Sequence, residues 1–144
     1  QPTKSLPGYN AVSDADVVIM RYAHVLLMIA EAENEVNGPT EKALKAINAV
    51  RTRSHQPAID GTGLTQAELR ERIRNEWRVE TCFEGLRYFQ LKRWKQLQQV
   101  VDGAVDPAYP SYIKVVRPAF EFFPLPQGEI DKAHGVLVQD PNYQ

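Results

Sequence analysis

The sequence predicts a mainly α fold, antiparallel helical hairpins followed by an irregular C-terminal strap with room for a minor β-hairpin. Three observations predict it. Apolar residues recur at three- and four-residue steps through most of residues 16–101. Stop signals, "NGPT" at Asn37–Thr40 and "SHQPAIDGTG" at Ser54–Gly63, cut that stretch into pieces of helix length. Beyond Val101 the period is lost, and six of the ten prolines follow it.

The first fifteen residues, "QPTKSLPGYNAVSDA", carry Pro2, Pro7 and Gly8 without a helical period, which predicts an extended N-terminal segment. From Asp16 onward Val18, Tyr22, Val25, Leu26, Ile29, Ala32, Glu33 and Val36 trace the inner face of a first amphipathic helix. Asn37 and Gly38 are suited to the left-handed conformation that ends a helix, Pro39 cannot continue it, and Thr40 is the N-cap of the next. The second helix turns Ala43, Leu44, Ile47, Val50 and Ser54 inward. After the loop, Thr65 and Glu68 form a capping box, in which each side chain satisfies a backbone donor left open at the start of a third helix.

That third helix runs to about Glu84, and Gly85 predicts a break or tight turn. A fourth helical pattern places Leu86, Phe89, Leu91, Trp94, Leu97 and Val101 on one arc. The strap has short apolar pieces around Val115 and Phe122 that suit a minor hairpin. Its Phe120, Phe122 and Phe123 are expected to be buried against the fourth helix.

The first two helices have the size of one tetratricopeptide unit, about 34 residues. With Ala30 at the first small position of that repeat, Ala43, Ile47 and Pro57 fall near its later alanine, aromatic and proline, displaced by a residue or more. A tetratricopeptide-like pair and a generic helical hairpin both satisfy this spacing.

A chain of 144 residues reads most simply as one domain, 1–144: an extended segment (1–15), a helical part (16–101) and the strap (102–144). Seventeen basic against eighteen acidic residues, a net charge of −1, provide no basic footprint for nucleic acid. No apolar run approaches the ~18 residues of a membrane-spanning helix, and no segment resembles a signal peptide. Cys82 is the only cysteine, and His24, His55 and His134 are scattered, so neither a disulfide, a metal site nor a cofactor is expected.

The third helix carries the unusual chemistry. At about 100° per residue, with Leu69 as zero, Ile73 falls near 40°, Glu76 near −20°, Glu80 near 20° and Phe83 near −40°. Two carboxylates therefore sit inside the apolar stripe, and Arg87 falls near 0° if the helix continues past Gly85. Arg70, Glu71, Arg74 and Arg78 point away, as on an ordinary solvated face. A catalytic acid/base pair requires carboxylates flanking a substrate, whereas side chains four apart on one helix point the same way. A metal pair lacks a histidine at complementary helical spacing. The remaining reading is an internal brace: Glu76 and Glu80 buried and held by Arg21, Arg51, Arg53 and Arg87, whose planar guanidinium suits two-point contact with a carboxylate. Truncating one partner of such a brace is expected to cost about 3 to 5 kcal/mol.

Three blocks, "RYAHVLLMIAEAENEVNGPTEKALKAINAVRTRS", "LRERIRNEWRVETCFEGLRYFQLKRW" and "FFPLPQGEI" followed by "LVQDPNYQ", resemble in order and spacing the C-terminal part of SusD/RagB proteins. Glu76, Arg78, Glu80, Phe83, Glu84, Gly85, Arg87 and Trp94 occupy positions of that family's Glu-Arg-Arg-x-Glu-Leu-x-Phe-Glu-Gly-x-Arg and Leu-Arg-Arg-Trp patterns. The chain departs from the patterns at His24, where an acid often lies, at Trp77 for an arginine, at Gln90 for an aspartate and at Asp140 before the closing proline.

The resemblance implies a surface-facing outer-membrane lipoprotein of several hundred residues, of which this chain is the C-terminal portion and whose anchor lies upstream. It implies a non-catalytic protein that captures oligosaccharide for a SusC-like TonB-dependent transporter, with tetratricopeptide-like helices as scaffold and transporter contact. In the family, glycan contacts come largely from aromatics on irregular segments, which makes Tyr9, Tyr109 and Tyr112 the candidates here. Sugar rings stack their apolar faces on aromatics while polar side chains take the hydroxyls. Each tyrosine reads more readily as a strap residue packed on the helices, and Trp77 and Trp94 are expected in the core or between helices. A tetratricopeptide-like module that holds a peptide is the competing function, although such grooves usually need at least three stacked repeats.

Overall fold

The computed structural model describes residues 18–113 and 122–143, without the side chains of Asp106, Tyr112 and Ile113. Its described elements are mainly helical. The chain divides into two compact units, Gln1–Glu80 and Thr81–Gln144, and each is taken by itself.

The first unit contains α1 (Tyr22–Asn37), α2 (Glu41–Arg53) and α3 (Gln66–Glu80). Gly38 ends α1 with φ +79° and donates its N–H to the Asn34 carbonyl at 2.9 Å. Two residues later the Thr40 hydroxyl accepts from the Ala43 amide and caps α2. The short link forces α1 and α2 into an antiparallel hairpin, and α3 packs back against α1. At the start of α3 the Thr65 amide donates to Glu68 Oε2 at 2.8 Å and the Glu68 amide to Thr65 Oγ1 at 3.2 Å, a reciprocal capping box.

The core is made by Leu27 and Ala30 of α1, Ala43, Ala46, Ile47 and Val50 of α2, and Leu69, Ile73 and Trp77 of α3. On α1 the structure corrects the sequence reading. The buried side is Ala23, His24, Leu27, Ala30 and Asn34, while Val18, Tyr22, Ile29 and Val36 are exposed. Both stripes satisfy the helical period. Packing selects the one with small residues, because Ala23 and Ala30 let the neighbouring helices approach closely. It also selects Asn34, whose Nδ2 donates to the Gln66 carbonyl at 3.1 Å while Gln66 Nε2 donates to the carbonyls of Asn34 and Glu35. These two carbonyls lie in the last turn of α1, where intrahelical donors run out.

The loop between α2 and α3 is pinned at its middle. Asn48 Oδ1 accepts from the Ile59 amide at 2.7 Å and Asn48 Nδ2 donates to the Ile59 carbonyl at 3.0 Å, so one side chain holds both backbone groups of a buried residue.

α3 ends at Glu80, four residues short of the sequence expectation. In the second unit a turn covers Thr81–Gly85, with Phe83 at φ +65° and Gly85 at φ +74°. Phe83, expected on the inner face, is fully exposed because the helix that would have carried it inward has already stopped. The fourth helical pattern is also split, into α4 (Arg87–Arg93) and α5 (Leu97–Val101), with Lys95 at φ +56° between them. Leu91 and Leu97 are buried, whereas Phe89 is exposed.

The described hairpin lies earlier than the sequence suggested. β1 (Val105–Asp106) pairs antiparallel with β2 (Tyr109–Ile113), with a register shift between Val105 and Asp106. The pairing piece proposed around Val115 lies outside the described residues. A short α6 (Gln127–Lys132) and a 3₁₀ turn (Pro141–Tyr143) interrupt the strap. Phe122 and Phe123 are exposed instead of buried; the Phe123 ring lies 6.0 Å from Tyr88, with Lys92 Nζ 5.1 Å from its centroid. Phe120 lies outside the described residues.

Candidate functional site

Two charged arrangements organise the first unit, a buried ion-pair network and an open cleft beside it. In the network, Arg51 Nη1 lies 2.7 Å from Glu76 Oε2, and the carboxylate side chain is 6% exposed. One turn later Glu80, 8% exposed, accepts from Arg21 Nη1 and Arg53 Nη2 at the same oxygen, Oε1. Arg21 Nη2 donates in addition to the Glu80 backbone carbonyl, one of the carbonyls left open at the C-terminus of α3. Three arginines from the start of α1 and the end of α2 thus converge on two successive turns of α3. Trp77, between the two glutamates in sequence, is buried and donates Nε1–H to Glu31 Oε2 at 3.1 Å, with its ring 6.0 Å from that of His24.

α3 stops at Glu80, and Arg87 opens α4 in the second unit. Cys82 is exposed, and among the described residues no group of three His, Cys, Asp or Glu side chains is arranged to hold a metal.

The cleft, of about 400 Å³, is lined by Arg51, Ile59, Glu71, Arg72 and Asn75. Its lining joins Ile59 of the loop, held by Asn48, to Arg51 of α2 and three residues of α3. Sequence periodicity gave no hint of it, since Glu71 and its neighbours read as a plain solvated face. The signal that was available is Asn48, a polar side chain half-buried on α2.

Of the aromatic candidates, Tyr109 begins β2 opposite Asp106 and is exposed. Tyr9 and the Tyr112 side chain lie outside the described residues. Hydrogen bonding sets the ionisation of several surface acids. Arg70 holds the Glu35 carboxyl below its ordinary 4.5 through bonds from Nε at 2.6 Å and Nη2 at 2.7 Å, and the Arg70 guanidinium is raised in turn. The Thr65 hydroxyl and amide do the same for Glu68.

A model of the SusD family matches residues 7–143. This chain belongs to the SusD family. It is 31% identical to SusD-like protein P2 of Formosa agariphila over 96% of this chain, and 36% identical to SusD-like protein P25 of the same organism over 85% of it. Those alignments span 28% and 23% of the two relatives, so the chain is about a quarter of their length. Among solved structures, a SusD-like protein from Bacteroides fragilis matches with a TM-score of 0.75 and 29% identity, over 88% of this chain and 26% of that one. Surface glycan-binding protein A from Bacteroides thetaiotaomicron, in complex with laminarihexaose, matches with a TM-score of 0.68 and 30% identity, over 85% and 24%. The helical SusD-like architecture thus accounts for the fold, and the Arg–Glu network lies within the residues that the family model matches.

Proposed function

We propose that this SusD-family chain is the C-terminal part of a longer, lipid-anchored protein on the outer-membrane surface. That protein binds glycans without catalysing any reaction on them and passes oligosaccharide to a SusC-like TonB-dependent transporter. The observation that carries the glycan reading is the match to surface glycan-binding protein A in its laminarihexaose complex, at 30% identity. Binding of this kind needs no covalent chemistry. It needs apolar platforms for sugar C–H faces and polar groups for hydroxyls.

In this reading the helices serve as scaffold and transporter contact, and Tyr9, Tyr109 and Tyr112 remain the aromatic candidates. Glu76 and Glu80 act as a structural brace with Arg21, Arg51 and Arg53. Their shared face, low exposure and arginine partners support that role over acid/base catalysis, which needs carboxylates on both sides of a bond.

The test is calorimetric titration of the 144-residue chain and of the longer protein against neutral and acidic oligosaccharides, laminarihexaose included. Saturable binding by the longer protein is expected, together with co-purification of a TonB-dependent transporter. Absence of glycan binding by both, with retention of a peptide ligand, would replace this reading with a tetratricopeptide-like peptide-binding module.

A further inference from the structure

We infer that the cleft formed by Arg51, Ile59, Glu71, Arg72 and Asn75 is a subsite for a carboxylate-bearing sugar, a uronic-acid unit within an oligosaccharide. The inference rests on the glycan-binding reading and goes beyond it by naming a site and a charge class.

Two cations and one anion line the cleft. Arg51 is matched by Glu76 and Glu71 by Arg74, the latter pair at 2.9 Å. Arg72 makes no hydrogen bond or ion pair among the described residues, although its charge helps to hold the nearby Glu68 carboxyl low, and the Asn75 side chain makes none either. Arg51 donates through Nε to the Pro57 carbonyl and through Nη1 to Glu76, which leaves Nη2 without a partner there. The cleft therefore presents a guanidinium with no hydrogen-bonded partner among the described residues and a surplus of donors.

Those donors have a geometry. Arg72 and Asn75 are three apart on α3 and lie on adjoining turns of one side. A guanidinium offers a planar fork that matches a carboxylate at two points, and an amide both donates to and accepts from a ring hydroxyl. Ile59, the apolar member of the lining, is held by the two Asn48 hydrogen bonds and, being buried, closes off one side of the cleft. A volume near 400 Å³ is at the small end of clefts that hold small molecules.

An acidic peptide shares the carboxylate chemistry but fits less well. Peptides held on helical surfaces anchor through several apolar side chains at helical spacing, and this lining has a single apolar residue.

The experiment follows the backbone amides of the 144-residue chain by NMR during titration with trigalacturonic acid, its methyl ester, triglutamate and laminarihexaose. The acid trimer is expected to shift Ile59, Arg72 and Asn75, with the ester about tenfold weaker or more, the size of a lost charge-assisted hydrogen bond. Arg72→Gln is expected to weaken the acid trimer by a similar factor, while Arg70→Gln, at a residue bonded to Glu35, leaves it unchanged. Arg72 is exposed and makes no hydrogen bond among the described residues, so its loss does not threaten folding.

Equal binding of acid and ester with no effect of Arg72→Gln would overturn the inference and leave glycan binding intact. Binding of triglutamate in preference to the sugar would overturn it in favour of a peptide. If the chain binds no uronate while the longer protein binds laminarihexaose elsewhere, the inference fails and the broader function stands. The broader function fails only when the longer protein binds no glycan.

Discussion

Replacing Glu76 with alanine strands the Arg51 guanidinium. In the folded chain Arg51 is 21% exposed and its Nη1 meets a carboxylate that is 6% exposed. Removing one member of a buried pair costs roughly 3 to 5 kcal/mol, because the survivor stays desolvated without compensation. Two features pull this case to the lower end. Arg51 keeps its bond from Nε to the Pro57 carbonyl, and the exposed fifth of its side chain lets a small shift rehydrate Nη1. About 3 kcal/mol follows, which for a chain of this size lowers the melting temperature by roughly 10 °C. Glu80→Ala is the milder change, about 2 kcal/mol, because Arg53 is 61% exposed and Arg21 retains the Glu80 backbone carbonyl. The assay is urea and thermal unfolding followed by circular dichroism for the parent, both single variants, Arg51→Ala and the double variant Arg51→Ala/Glu76→Ala. A coupling of about 2 kcal/mol between Arg51 and Glu76 is expected from the cycle. A Glu76→Ala protein that melts within a degree or two of the parent, or a coupling near zero, would refute the brace.

Two further outcomes follow from the same coordinates. Phe83 is fully exposed at φ +65°, a conformation that costs an L-residue roughly 1–2 kcal/mol, so Phe83→Gly should leave stability unchanged or raise it by up to about 1 kcal/mol. A loss above about 2 kcal/mol in the same unfolding assay would contradict the exposed placement. For Glu35 the sign runs with its depressed ionisation: the Arg70 pair stabilises fully above the ordinary value of 4.5 and is lost as pH falls through the lower folded value. With the Glu35 side chain 42% exposed, the contribution is a few tenths of a kcal/mol. The stability gap between the parent and Arg70→Gln should be present at neutral pH and close in acid; a gap unchanged where Glu35 is fully protonated in the folded chain would exclude the pair as its source.

The helical order was legible because its punctuation is local. Gly38, Pro39 and Thr40 act on their immediate backbone, as do Thr65 and Glu68, and local chemistry of that kind is written in consecutive residues. The face of α1 was not legible, since Ile29 and Val36 are as apolar as Leu27 and the choice between stripes depends on what Ala30 and Asn34 meet in other helices. The end of α3 was misplaced for a related reason. Nothing in the periodicity from Leu69 to Phe83 marks Glu80, whose last carbonyl is closed by Arg21, 59 positions away. The two glutamates stood out because charge inside an apolar stripe is anomalous at any range. The cleft beside them did not, because one of its walls comes from Ile59, in a loop that has no period at all.

Arg21 and Glu80 are the outermost residues of the described helical bundle, and their contact turns it into a loop closed without a covalent bond. Bringing such distant points together has an entropic cost that grows only slowly with the chain between them. Once it is met, loosening the end of either α1 or α3 breaks the Arg21–Glu80 contacts. Fraying, which ordinarily begins at the ends of a helical bundle, would require the fork on Glu80 to open first. Hydrogen exchange at the first turn of α1 and the last turn of α3 should therefore share one opening energy, and the unit should unfold as a whole.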